Sequence, residues 1–304
     1  MASVLAAAPI TWGVCELPGW GLELPYERVL DEMVAAGFKG TELGPAGYLP
    51  LEPATLRRAL ESRGLALVGA FCPLTLHLPA QVDESLREGE ALARLLSELA
   101  CPVLVAADAG DERRRAMAGR VGAHEPFDPD TWARVGEGLA TLAQRCAPLG
   151  VRVAFHPHAG TYVETAAEVD ALLAHTPAEL VGLCLDTGHL VYGGADPVAV
   201  ARRYASRVRH VHLKDVHPTV LEAARRGTLD YATAVGRGVF TPLGDGVVDV
   251  PGLIGVLQQA GYRGWHVLEQ DVRLGDPWPA QDPLANARRS AAALRRLLGE
   301  GATP

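Results

Sequence analysis

The sequence has few cysteines and no pattern that would pair them. Its five cysteines are scattered over 304 residues, and none belongs to a CxxC motif. An odd number in a chain of this length argues against a disulfide framework. Four of the five stand in or beside apolar, strand-like runs, where cysteine serves as a small hydrophobic residue.

The sequence also lacks long apolar runs and an excess of basic charge. No uninterrupted apolar segment reaches the ~20 residues that a membrane-spanning helix needs. The apolar start, MASVLAAAPI, has no basic region before it, which argues against a signal peptide. The net charge of −8 disfavours nucleic-acid binding, which depends largely on Lys and Arg. We therefore expect a cytoplasmic protein that binds neither membranes nor nucleic acid.

Short apolar runs alternate with amphipathic stretches along the whole chain, which is typical of an α/β fold with a parallel sheet. One (β/α)₈ barrel takes ~250 residues and tolerates insertions. We therefore predict a single-domain (β/α)₈ TIM barrel over residues 1–304, with an insertion at about 217–250 between the seventh strand and its main helix. The predicted strands are 9–14, 40–43, 65–71, 102–107, 151–156, 181–186, 208–213 and 265–268.

Four of the apolar segments end in a residue that can bind a metal ion. These residues are His156, Asp186, His212 and Glu269, at intervals of 30, 26 and 57 residues. The first two intervals fit one strand plus one helix, and the third fits such a unit carrying the insertion. A barrel brings all its strand ends to one face, so the four side chains should meet there. Two imidazoles and two carboxylates predict one divalent metal, with Mn²⁺ or Co²⁺ expected and Zn²⁺, Fe²⁺ or Mg²⁺ as alternatives.

Each predicted ligand also has a plainer structural explanation. A single histidine at a strand end can be a hydrogen-bonded rim residue, and Asp186 can be the N-cap of the next helix. Glycines at 188, 193 and 194 should postpone that helix, which weakens the N-cap explanation. A carboxylate at the end of a buried strand is costly unless it is paired, hydrogen-bonded or metal-bound.

Lys214, Glu42 and His189 are candidates for acid–base catalysis. Lys214 lies on the same side of the seventh strand as His210 and His212, because side chains alternate along a strand. We assign Lys214 to the substrate and expect burial to lower its pKa, which would make it a usable base. Glu42, at the end of the second strand, is a second candidate, with a helix cap or a rim salt bridge as the alternative. His189, three residues after Asp186, is the third.

Three other residues are candidate substrate contacts. His158 follows His156 by two residues and should point to the same side in extended chain. Trp12, in the predicted first strand, and His77, after the predicted third strand, are the other two. Trp20, Trp278 and the Pro-rich segment Asp276–Pro283 fit either the rim or an interface, so a homo-oligomer stays open.

Several of these segments together resemble the xylose-isomerase-like barrel superfamily of sugar (phosphate) isomerases and epimerases. The resemblance covers nearly the whole chain. It is carried by Gly-Thr-Glu-Leu-Gly (40–44), Phe-His-Pro-His-Ala-Gly-Thr (155–161), Leu-Asp-Thr-Gly-His (185–189), His-Val-His-Leu-Lys-Asp-Val (210–216) and Gly-Trp-His-Val-Leu-Glu-Gln-Asp (264–271). Within the superfamily, Gly-Val-Phe-Thr-Pro-Leu-Gly-Asp-Gly-Val-Val-Asp (238–249) is most similar to the inosose dehydratase subgroup.

The resemblance implies a metal held at positions 156, 186, 212 and 269. It also implies dehydration of a polyhydroxylated ketone through an enediolate, with 2-keto-myo-inositol as the best single guess for the substrate. Many sugar epimerases of the superfamily have Glu where this chain has His156. The loss of that carboxylate disfavours two-base epimerisation.

Three alternatives share the same barrel. The first is a metal-dependent keto-sugar epimerase or aldose–ketose isomerase, which uses the same intermediate. The second is a non-catalytic sugar-binding barrel, which would not need all four ligands. The third is an endonuclease, which the acidic charge and the single clear ligand set disfavour.

Overall fold

The computed structural model describes residues 5–122 and 126–299 of the chain. Eight parallel strands close into a barrel, which confirms the predicted fold class. In order around the barrel they are β1 Leu5–Ala7, β2 Gly40–Glu42, β3 Ala66–Leu74, β4 Val103–Asp108, β5 Arg152–Phe155, β6 Val181–Asp186, β7 Val208–Leu213 and β10 His266–Leu268. Strands β8 Asp215–Val216 and β9 Phe240–Thr241 form a separate antiparallel pair.

Helices surround the barrel, and their ends follow local sequence signals. Thr165 and Glu168 form a capping box at the start of one helix, and Gly37 ends another with a left-handed φ of 87°. None of the described helices is long and apolar enough to cross a membrane. The helices are α1 Tyr26–Ala36, α2 Pro53–Glu61, α3 Val82–Glu98, α4 Glu112–Ala116, α5 Pro129–Cys146, α6 Ala166–Ala174, α7 Thr187–Tyr192, α8 Pro197–Tyr204, α9 Pro218–Arg225, α10 Tyr231–Gly236, α11 Val250–Gln259 and α12 Pro283–Leu297.

The first strand lies earlier than predicted. Leu5–Ala7 pairs with both β10 and β2, whereas Pro9–Trp12, predicted as strand, forms a 3₁₀ turn. Proline at the start of this turn lacks the N–H that a barrel strand would need, and Gly13 ends the turn with a φ of 78°. The small side chains of Ala6 and Ala7 concealed the strand, because they give a weak hydrophobic signal.

The chain between β7 and α11 contains the β8–β9 pair and helices α9 and α10. The buried carboxylate of Asp215 ties this segment to the end of β7. Its two oxygens accept four backbone N–H groups, two each. The donors are Val216 and Val248 at Oδ1, and Gly244 and Gly246 at Oδ2. The insertion is therefore anchored beside the strand end that carries Lys214.

Candidate metal centre

The four predicted metal ligands lie together at the carboxyl ends of β5, β6, β7 and β10. All four are buried, and one ligand atom from each lies within 4.8 Å of the others. Nε2 of His156 is 3.3 Å from Oδ2 of Asp186, and Nδ1 of His212 is 3.3 Å from Oε2 of Glu269. Ligand atoms held about 2.1 Å from a tetrahedral ion lie about 3.4 Å apart. The cluster therefore has the spacing of a metal site.

The ring of His212 is oriented as a metal ligand. Its Nε2 is 2.9 Å from Oε1 of Glu42, while its buried Nδ1 has no hydrogen-bond partner among the described residues. A ligand histidine commonly donates its other ring N–H to a carboxylate, which fixes the tautomer. The orphaned Nδ1 faces Asp186 and Glu269, so the donor set fits a divalent metal.

Asp186 serves the metal cluster and the following helix at once. Its Oδ1 accepts the backbone N–H of His189 at 2.8 Å and caps α7, while Oδ2 faces His156. The expectation that the glycines after Asp186 postpone the helix is wrong, because α7 begins at Thr187. The carboxylate that caps the helix is thus also a member of the candidate ligand cluster.

Glu42 lines the cavity with one carboxylate oxygen held against two histidines. Its Oε1 is 2.6 Å from Nε2 of His210 and 2.9 Å from Nε2 of His212. Burial disfavours ionisation of Glu42, but the charges and hydrogen bonds of the two histidines outweigh it and lower its pKa. An added Cβ at Gly69 would come 2.9 Å from Oε1, so glycine leaves room for this contact. The geometry favours a positioning role for Glu42.

We expect Glu42→Gln to weaken metal binding about 10–100-fold, the usual effect of losing a partner of a ligand histidine. The amide has no negative charge to hold the His212 tautomer that leaves Nδ1 free. The measurement is metal affinity by competition with a chelator. Glu61→Gln, on the exposed face of α2, is the matched control. Equal affinities for the two variants would contradict the positioning role.

The ammonium group of Lys214 lies at the centre of a second group of buried side chains. Its Nζ is 2.8 Å from Oδ1 of Asp271, 2.9 Å from Oε2 of Glu269 and 3.0 Å from Nε2 of His189. The ring of Phe240 lies 4.9 Å from Nζ on another side. Lys214 therefore touches the metal cluster through Glu269 and the insertion through Phe240.

The predicted lowering of the Lys214 pKa is wrong. Burial does disfavour the ammonium form, but the carboxylates of Asp186, Asp271 and Glu269 outweigh it and raise the pKa of Lys214. Tight packing also fixes its side chain. A Cβ added at Gly188 would lie 2.5 Å from Cγ of Lys214, so the glycine of Asp-Thr-Gly-His makes room for the lysine.

His158 and His189 lie face to face beside the cluster, with ring centroids 3.7 Å apart. Nδ1 of His158 donates to the carbonyl oxygen of Ala159 at 2.8 Å, which leaves Nε2 as the acceptor of a neutral ring. Burial, with the charges of His156 and Lys214, lowers the pKa of His158 to about 3. Burial likewise lowers the pKa of His189. Burial therefore favours the neutral form of both rings.

These groups surround a cavity of about 300 Å³. Its floor is polar and its wall is apolar. The floor consists of Glu42, His156, His158, His189, His212, Lys214, Tyr231, Glu269 and Asp271, and the wall includes Pro9, Ile10, Val14, Leu17, Trp20, Phe71 and Pro73.

Two floor residues were not predicted. Asp271 could have been found, because it follows Glu269 by two residues and so points to the same side of an extended chain. Tyr231 had no signal, because the fold of the insertion brings it to the floor.

Two predicted substrate contacts are not in the cavity. Trp12 is fully buried in the core, where its indole N–H donates to Oε2 of Glu32 at 2.8 Å. It belongs to the 3₁₀ turn after β1, which faces α1 rather than the barrel mouth. His77 lies beyond the end of β3, and its Nδ1 is 2.9 Å from Oδ2 of Asp108. Its ring packs against Phe127. Both side chains have structural partners here.

A closed parallel barrel with two histidines and two carboxylates at its strand ends defines a TIM-barrel protein with a candidate divalent-metal centre. The family model for the Xylose isomerase-like TIM barrel matches residues 30–297, and the chain belongs to this family.

Named relatives and a solved structure agree with this assignment. The chain is 39% identical to the rhizopine catabolism protein MocC of Rhizobium meliloti, over 98% of this chain and 89% of that protein. It is 36% identical to the inosose dehydratase of Geobacillus kaustophilus (strain HTA426), over 90% of each chain. The crystal structure of the IolI protein with a bound zinc atom superposes with a TM-score of 0.71 at 13% identity, covering 100% of both chains. That last likeness concerns the fold alone.

Proposed function

We propose that the protein is a metal-dependent dehydratase of a polyhydroxylated ketone, with 2-keto-myo-inositol (inosose) as its substrate. The observation that carries the proposal is the four-ligand cluster beside Lys214 at the floor of a cavity of about 300 Å³. The inosose dehydratases among its relatives, at 33–36% identity over most of the chain, support the same activity. The reaction breaks a C–H bond next to the ketone and the C–O bond of the β-hydroxyl, and it releases one water.

The metal would be held by His156, Asp186, His212 and Glu269. We expect Mn²⁺ or Co²⁺, because the mixed nitrogen and oxygen donors suit either ion. Which of the two is bound then depends on the cellular supply of each metal. When bound, the ion would supply Lewis-acid polarisation of the ketone.

The chain's own residues would handle the protons. Nε2 of His158 is the proposed acceptor of the proton next to the ketone, because the Ala159 carbonyl keeps the proton of the ring on Nδ1. Nζ of Lys214 is the proposed donor to the departing hydroxyl, because its carboxylate neighbours keep it charged. These roles reverse the expectation that Lys214 is the base. His189, in contact with both, keeps its place as a candidate for moving a proton between them.

The charge of the cavity favours an uncharged substrate. Among the described residues that line it, Lys214 is the one lysine or arginine, and acidic neighbours already engage it. Four carboxylates, from Glu16, Glu42, Glu269 and Asp271, line the same space. A phosphate would find no free basic group there, whereas hydroxyl groups can bond to the polar floor and ring C–H groups can pack on the apolar wall.

The test is mass spectrometry of the products after Mn²⁺-loaded protein has been incubated with 2-keto-myo-inositol. We expect a product lighter than the substrate by the mass of one water. A product of unchanged mass that differs in stereochemistry or carbonyl position would replace the proposal with epimerisation or isomerisation. Unchanged substrate, together with no reaction on other keto-sugars, would favour a sugar-binding barrel.

A further inference from the structure

The insertion contributes a phenol to the floor of the cavity. Tyr231 is the first residue of α10, and the Asp230 side chain caps this helix by accepting the backbone N–H of Thr233. The hydroxyl of Tyr231 lies 3.1 Å from Oδ2 of Asp271. Burial and the nearby Asp271 carboxylate raise the pKa of Tyr231, so the phenol keeps its proton and donates it in this hydrogen bond.

Asp271 links this phenol to Lys214. Its other oxygen, Oδ1, is 2.8 Å from Nζ of Lys214. Asp271 is buried, so rotation of its carboxylate would break one of the two contacts without replacement by bulk water. The hydrogen bond from Tyr231 therefore fixes the orientation of the oxygen that holds the lysine.

Packing against α7 and the anchoring of the insertion at Asp215 hold Tyr231 in place. Its ring packs edge-on against Tyr192, at 5.3 Å between centroids, and lies within 6.2 Å of His189. Asp215 ties the far end of the insertion back to β7 through its four backbone hydrogen bonds. The phenol is thus placed by its packing on α7 and by an insertion that is anchored at the end of β7.

We propose that Tyr231 is a positioning residue for Lys214, acting through Asp271. The inference rests on the proposed function, because it takes Lys214 as the group that meets the substrate. It gives the insertion a role in the reaction: the insertion supplies the outer end of the chain Tyr231–Asp271–Lys214.

The test compares Tyr231→Phe with Tyr192→Phe. The hydroxyl of Tyr192 is also buried but has no hydrogen-bond partner among the described residues, so its loss should leave turnover unchanged. For Tyr231→Phe we expect kcat to fall about tenfold, the usual size for a hydrogen bond to a charged group, with KM and metal content unchanged. Equal kcat values for the two variants would overturn the proposal.

A double-mutant cycle tests whether Tyr231 acts through Asp271. In the Asp271→Asn background, Tyr231→Phe should change kcat by less than about twofold, because the coupled group is already altered. A full tenfold further loss would mean that the phenol acts on the substrate independently, and would overturn the positioning role.

A crystal structure keeps this proposal separate from the proposed function. In Tyr231→Phe, Nζ of Lys214 should no longer contact Oδ1 of Asp271, whereas the contact should persist in Tyr192→Phe. This result would stand even if wild-type protein did not dehydrate the ketone, in which case only the proposed function would fail. An unmoved Lys214 in Tyr231→Phe would overturn the positioning role whatever the reaction is.

Discussion

Replacing Lys214 by methionine should reduce turnover by about 10²–10⁴-fold, the range that a positioned acid or base contributes, while the protein keeps its metal. Methionine retains the length of the buried stem but removes the ammonium group. The side chain would still fill the space beside Gly188, but it could not donate a proton. The measurement is kcat for the dehydration, paired with metal content by mass spectrometry of the purified protein.

The matched control is the same substitution at Lys39, which is the only other lysine in the sequence and is exposed. Lys39→Met should keep full activity. Normal turnover by Lys214→Met would show that the assigned role of Lys214 is wrong. Loss of metal in the same variant would show instead that the lysine supports the ligand cluster.

Asp186→Asn should lose the metal and with it turnover, by about 10³-fold or more, equivalent to at least about 4 kcal/mol in the activation barrier. The amide oxygen can still cap α7 by accepting the His189 N–H, so the fold should survive. The NH₂ group of the amide would take the place of Oδ2. The site would lose a charged ligand, and a hydrogen-bond donor would then face His156. The measurements are bound metal per chain and turnover at saturating Mn²⁺.

Asp128→Asn is the matched control for the cap, because Asp128 caps α5 through the N–H of Thr131 but lies on the exposed surface. It should bind metal as wild type does. If Asp186→Asn kept a full complement of metal, the four-ligand cluster would not be the metal centre. If it failed to fold while Asp128→Asn folded, Asp186→Glu would test the ligand role with the charge retained.

The bounds of the strands that end in site residues were predicted more accurately than those of β1. Val181–Asp186 and Val208–Leu213 have the predicted bounds, because each mostly buried run stops at or just before a charged residue, Asp186 or Lys214. β1 was misplaced because alanines carry little hydrophobic contrast. The four ligand positions followed from the strand ends alone, since a closed barrel sends every carboxyl end to one face.

The roles of the site residues depended on distances that no sequence pattern contains. Glu42 was recognised as a carboxylate aimed at the barrel mouth, but its role depends on which nitrogen of His212 it faces. Lys214 was recognised as buried, and burial alone would lower its pKa. The opposite result comes from Asp271 and Glu269, whose distances from Nζ are set by the tertiary fold.

The four backbone hydrogen bonds to Asp215 also hold the insertion in place beside the cavity. Swinging the insertion outward would remove three of the four donors from a buried carboxylate and leave the N–H groups of Gly244, Gly246 and Val248 without an acceptor, a heavy cost in free energy. That side of the mouth is therefore a fixed wall. Cys15, Glu16 and Leu17, which precede α1, also line the cavity, and Leu17 is 46% exposed. We therefore expect substrate and product to pass beside the loop between β1 and α1 and not beside the insertion.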